Sequence, residues 1–149
     1  IKKAIKTFKF ERKKEIGKTL GKILLHNIPF NKFDCIIPVP LHKNRQSYRG
    51  FNQSELLSIL IGKEMHLPVI TDALIRIRDT KPQFELGYVE RQKNVKGAFA
   101  VVNKSVINGK IILLVDDILT TGSTVKECKN ELLKAGAVKV LIYVLSKAI

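Results

Sequence analysis

The sequence predicts an α/β fold, with a central, mainly parallel, twisted sheet flanked by helices. Three observations carry this. Ile111-Ile-Leu-Leu-Val115 is a continuous apolar run, as a parallel strand covered on both faces requires. Val125, Cys128, Leu132 and Ala135 then fall on one side of a helix predicted over residues 123–135, which Gly136 ends. Residues 138–145 form a second apolar run, so the stretch reads as a complete βαβ unit with a right-handed crossover.

The elements before that unit follow from similar patterns. Ile16, Leu20, Ile23 and Leu24 recur at helical spacing within residues 1–28, with lysines on the other face, until Asn27 and Pro29 stop the helix. Residues 34–40 are a short β-branched run between prolines, read as a buried strand leading into a loop. Residues 41–50 read as a polar, basic loop containing Lys43, Arg45 and Arg49. A second amphipathic helix is predicted over residues 52–65, with Leu56, Leu57, Leu60 and Ile61 inward and Asn52 or Ser54 near its cap. Residues 69–78 read as a strand. Residues 79–97 carry no apolar periodicity and read as a long mobile loop, of the kind that is usually functional or disordered. Residues 98–102 form a short strand, followed by an Asn108-Gly109 turn.

Composition narrows the class. With 149 residues and 45% hydrophobic content, the chain is expected to be one domain that buries its own core. Cys35 and Cys128 lie in separate apolar segments, which points to free thiols in a reducing, cytoplasmic setting, with a single disulfide as the weaker alternative. No apolar run is long enough for a membrane helix, and nothing resembles a signal peptide. The first residue is Ile1, so a segment upstream is expected to be missing. The net charge is +14, and residues 1–50 hold 13 Lys/Arg against 3 Asp/Glu. Such a field favours polyanions and small phosphorylated ligands, although a solvated basic face explains it equally well.

The chemistry concentrates in Val115-Asp-Asp-Ile-Leu-Thr-Thr-Gly-Ser-Thr124. The carboxyl end of a strand meets the amino end of a helix there, which is where ligands bind in open α/β sheets. Unpaired N–H groups and the partial positive charge of the helix end suit a phosphate. Gly122 leaves room for close approach, and Thr120, Thr121, Ser123 and Thr124 add hydroxyls. Asp116 and Asp117 would repel a phosphate, so they are expected to accept hydrogen bonds from the vicinal hydroxyls of a ribose. A Mg²⁺ ion is favoured nearby, with substrate oxygens as several of its ligands and no protein-only metal site. A Walker A loop is excluded because no Gly-Lys-Ser/Thr closes the turn. A response-regulator receiver needs a further Asp downstream, and none follows Asp117.

The same ten residues resemble the 5-phosphoribosyl 1-pyrophosphate (PRPP) signature of type I phosphoribosyltransferases. Beyond them, Pro38-Val-Pro-Leu41, Arg49-Gly-Phe-Asn-Gln53 and the spaced set Arg76, Thr80, Gln83, Leu86, Arg91, Asn94 and Gly97-Ala-Phe99 resemble the ComF, or GntX-like, family of competence-associated proteins. The likeness spans nearly the whole chain. It implies one phosphoribosyltransferase-like domain over residues 1–149, with residues 79–96 as a mobile hood over the reaction centre. It also implies an upstream four-cysteine zinc module, absent or removed here, so Zn²⁺ is expected only with such a module.

The resemblance further implies roles for single residues. Leu41, His42, Arg45, Arg49 and Arg91 would bind pyrophosphate, while Asp116 and Asp117 would be catalytic. Residue chemistry leaves alternatives open: Arg49 as a helix-flanking charge, Asn52 as an N-cap and His42 as a solvated loop residue. His26 and His66 lie at helix ends and need no function, and Lys81 and Lys93 read as solvated charge. The implied reaction displaces pyrophosphate from C1 of PRPP by a nitrogen nucleophile, with a nucleobase salvage substrate as one alternative. Another is a non-catalytic PRPP sensor that handles single-stranded DNA. Implied partners are PRPP, single-stranded DNA and other DNA-uptake proteins.

Overall fold

The computed structural model describes Leu25, Ile28 and residues 32–80 and 93–147. The helix predicted over residues 1–28 otherwise lies outside these, as do residues 81–92 of the predicted hood, with Arg91 among them. In chain order the described elements are strand β1 (Cys35–Pro38), helices α1 (Lys43–Arg49) and α2 (Gln53–Met65), strands β2 (Leu74–Arg76) and β3 (Phe99–Val101), strand β4 (Ile111–Leu119), helix α3 (Ser123–Lys134) and strand β5 (Lys139–Lys147).

β4 is the middle of a three-stranded parallel sheet in the order β1-β4-β5. Ile37 stands opposite Leu114, which in turn stands opposite Ile142. The period of two along β4 splits its side chains between two core layers. Ile112 and Leu114 pack with Val125, Cys128 and Leu132 of α3, while Leu113 and Val115 pack with Leu57, Leu60 and Ile61 of α2. Ile112, Leu113, Leu114 and Val115 are completely buried, which explains an uninterrupted apolar run where a one-sided strand would alternate. Each such side chain contributes roughly 1.5–3 kcal/mol by burial. Leu25 and Ile28 pack onto the α2 layer.

α2 lies close to the chain that follows it. A Cβ added at Gly62 would run into the Val69 side chain and the Leu67 carbonyl, so this helix position requires glycine for space. His66 caps the helix in the left-handed region, a structural role consistent with its place at a helix end.

Three expectations are corrected. The basic segment 41–50 is a helix rather than a loop. His42 caps it by accepting from Asn44 N at 3.4 Å, and Gly50 closes it in a left-handed conformation. Its residues are mostly exposed, so no apolar periodicity announced it. The strand predicted over residues 69–78 is confined to Leu74–Arg76, and Val69 makes only an isolated parallel bridge to Ile36. The exposed Thr71-Asp72 pair separates the two, and β2 pairs antiparallel with β3 in a sheet of its own. Finally, residues 116–122 read from the sequence as a turn, but β4 does not end at Val115. β5 extends far enough to pair Asp116 with Val144 and Leu119 with Lys147, so both acids lie within the strand and the turn is confined to residues 120–122.

Candidate functional site

The ends of β1 and β4 lie side by side, with Val39 N donating to Val115 O at 2.9 Å. This brings the segment after β1 next to the two acids of β4. Asn52 then fixes the start of α2 against the same edge. Its Oδ1 accepts from Ser54 N at 3.1 Å, and its Nδ2 donates to Val39 O at 3.0 Å. Asn52 is therefore an N-cap that also ties α2 to the end of β1.

That tie presents Ser54 to Asp116, whose Oδ1 accepts from Ser54 Oγ at 2.8 Å and from Asp117 N at 2.9 Å. Burial pushes the Asp116 carboxyl up to about 6, and the Asp117 charge adds to the rise. The hydrogen bonds from the Ser54 hydroxyl and the Asp117 amide oppose it. A carboxyl with this value exchanges its proton near neutrality, and hydroxyl donors would favour its ionised form.

Both acids line an open cleft of about 670 Å³. Its other walls include Leu41 and Arg45 from the β1 side, and Thr120, Gly122 and Thr124 from the turn into α3. Gly122 is the N-cap of α3 with φ 77 and makes no side-chain capping bond. A Cβ there would meet only the Leu119 side chain at 3.6 Å, so the left-handed backbone, more than space, demands glycine. The first turn of α3 contains no acid. Ser123 N donates to Thr121 Oγ1 at 3.5 Å, and the next N–H groups and the positive end of the dipole face an anion without an acidic neighbour.

The five cradle residues do not all face one way. Thr121 and Ser123, whose hydroxyls are 2.8 Å apart, line a smaller hollow of about 430 Å³ with Lys96, Lys126 and Glu127. Of the residues expected to hold pyrophosphate, His42 turns its Nδ1 to Asn44 N and to Asp79. Arg49 is the last residue of α1, and Arg91 lies outside the described residues. Lys93 is exposed. Among the described residues no three His, Cys, Asp or Glu side chains gather to hold a metal ion. A cation beside Asp116 and Asp117 would therefore draw most of its ligands from substrate and water.

Sequence reasoning assigned no role to several cleft residues. Ser54 was noted only as a possible cap, because its partner lies 62 residues away. Arg76 is buried, with its guanidinium carbon 5.4 Å from the centre of the Phe99 ring and one hydrogen bond to Thr80 Oγ1. Its Nε is buried without a hydrogen-bond partner, and burial together with Arg45 lowers its pKa. Asp79, Asn44 and the exposed Tyr48 also line the cleft. The family-like spacing of Arg76 and Thr80 was the available signal for that pair.

Residues 62–148 match the family described as the phosphoribosyl transferase domain. The chain belongs to this family. It is also 34% identical over 152 residues to Competence protein F of Haemophilus influenzae, covering 97% of this chain and 66% of that protein. DNA utilization protein YhgH of Escherichia coli strain K12 gives the same identity and coverage. These relatives support the ComF-family assignment, and the chain spans 66% of their length. The fold is similar to that of adenine phosphoribosyltransferase from Thermoanaerobacter pseudethanolicus, with a TM-score of 0.58 and 15% identity, over 91% of this chain and 70% of that one. The type I phosphoribosyltransferase fold is thereby established. No helix among the described residues is long and apolar enough to cross a membrane.

Proposed function

We propose that the cleft binds PRPP and that the chain is a phosphoribosyltransferase-like protein of DNA uptake. The observation that carries this reading is the acid-free N-terminus of α3, whose Gly122 and Thr124 line the same cleft as Asp116 and Asp117. The 5-phosphate would sit on the N–H groups after Gly122, beside the Thr120 and Thr124 hydroxyls. The ribose hydroxyls would donate to Asp116 and Asp117, and the diphosphate would extend toward Leu41 and Arg45. Mg²⁺ bound with the substrate would neutralise charge on the departing pyrophosphate.

In a transfer reaction, a nitrogen nucleophile forms a bond to C1 while the C1–O bond to pyrophosphate breaks. The two carboxylates would favour the positive charge that develops on the sugar. A cytoplasmic location is supported by Cys35 and Cys128, both free and buried. Calorimetry with PRPP and Mg²⁺ tests the ligand: the chain should bind, and Asp116→Ala/Asp117→Ala should not. Equal binding by both proteins would end the ribose assignment.

A second reading, handling of single-stranded DNA, is favoured by the excess of 13 Lys/Arg over 3 Asp/Glu in residues 1–50. The printed names of the relatives, a competence protein and a DNA utilization protein, point the same way. Affinity for an oligonucleotide should then fall steeply with salt. Absence of binding even at low salt would remove this role for the chain.

A further inference from the structure

The carboxylate of Asp79 sits among side chains suited to an anionic ligand. Asn44 Nδ2 donates to Asp79 Oδ2 at 2.9 Å, and His42 Nδ1 lies 3.6 Å from the same oxygen. Arg45 Nε lies 3.6 Å from Asp79 Oδ1, and Arg45 Nη2 donates to the Thr80 carbonyl. Asn44, Arg45 and Asp79 all line the cleft that contains Asp116 and Asp117. A guanidinium and an amide converging on two oxygens make a receptor that fits phosphate as well as carboxylate, while His42 Nδ1, which accepts from Asn44 N, is no donor to it.

The strength of this contact is limited. The Asp79 side chain is 42% exposed, where an ion pair is worth about 1 kcal/mol or less. A diphosphate carries more charge and more acceptor oxygens than one carboxylate, so it competes for the same donors.

We propose that Asp79 occupies the diphosphate subsite of its own chain, so that a diphosphate binds there by displacing this carboxylate from Asn44 and Arg45. The proposal rests on reading the cleft as a sugar-diphosphate site. It makes Asp79 a specificity-determining residue. A phosphate on the end of α3 does not meet Asp79, whereas a diphosphate reaching Arg45 does.

The test titrates the 149-residue chain with inorganic pyrophosphate and, separately, with ribose 5-phosphate, both in the presence of Mg²⁺. Asp79→Asn should bind pyrophosphate roughly fivefold more tightly than the parent. Its affinity for ribose 5-phosphate should stay within about twofold. Asp79→Ser, which also removes the charge, should show the same gain, and adding Arg45→Ala should abolish it. Thermal unfolding confirms that each variant is folded. Equal or weaker pyrophosphate binding by the folded Asp79 variants, with ribose 5-phosphate still bound, overturns this proposal and leaves the cleft reading standing. Failure of the parent to bind ribose 5-phosphate overturns the cleft reading, and the proposal with it.

Discussion

The two sides of the cleft are built in opposite ways. The β4–α3 side is contiguous: strand, two acids, turn, glycine cap and helix follow one another from Ile111 to Lys134. The facing side is assembled from distant segments, with α1 meeting Asp79 and Thr80 across a separation of 35 residues. The contiguous side is held by two neighbouring strands and a buried helix face, so its geometry is fixed by the core. The assembled side is held by exposed or half-buried polar contacts, which are weak individually and exchangeable for a ligand. The side proposed to hold the sugar phosphate is thus rigid, and it stands opposite a wall that can change partners.

The sharpest way to break this contrast is Gly122→Val. A β-branched side chain at φ 77 should cost about 1–2 kcal/mol of stability and misdirect the start of α3. Ribose 5-phosphate affinity should drop on the order of a hundredfold, as a charge-assisted site is lost, and titration calorimetry measures this.

Asp116 gives the next largest effect. Its folded-state pKa of about 6 lies above the ordinary 3.8, so the folded protein binds this proton more tightly than the unfolded chain. That contribution to stability is complete at low pH and is lost as the pH rises through about 6. The loss amounts to about 2–3 kcal/mol between acid and neutral conditions. Asp116→Asn, which keeps both acceptor bonds without a charge, should be more stable than the parent at neutral pH and show a flatter profile. Urea unfolding across this range checks it.

Ser54→Ala sharpens the same side. It removes a donor from a largely buried carboxylate and should cost about 1 kcal/mol at neutral pH, measured by denaturant midpoint. The Asp116 carboxyl, titrated by NMR, should move higher still. On the assembled side, Asn44→Ala should change stability by no more than about 0.5 kcal/mol, because its bond to Asp79 is exposed. A cost as large as that of Ser54→Ala would show that the two sides are equally rigid.

Legibility followed the same division. The βαβ unit could be read because Ile112–Val115 are buried on both faces and α3 shows a full apolar stripe. The cradle could be read because its residues are adjacent. By contrast, α1 has no buried stripe, and its polar, basic sequence reads as a loop. The extension of β4 to Leu119 depends on the length of β5, which apolar patterning did not reveal because Ser146 and Lys147 are exposed. The Ser54–Asp116 bond, the clustering around Asp79 and the stacking of Arg76 on Phe99 are tertiary events between separated segments. Asp116 was marked by its place before the turn and Ser54 as a possible cap, and family-like spacing marked Arg76 and Phe99, but nothing in the sequence joined these residues to one another.

The central claim is that the backbone after β4 receives a sugar phosphate while the neighbouring acids receive its hydroxyls. Amide chemical shifts followed during titration with ribose 5-phosphate test it most directly. The largest saturable changes should fall on Asp116, Asp117 and the N–H groups of Thr120 to Val125. Saturation with those amides unmoved, or with changes centred elsewhere, would contradict it.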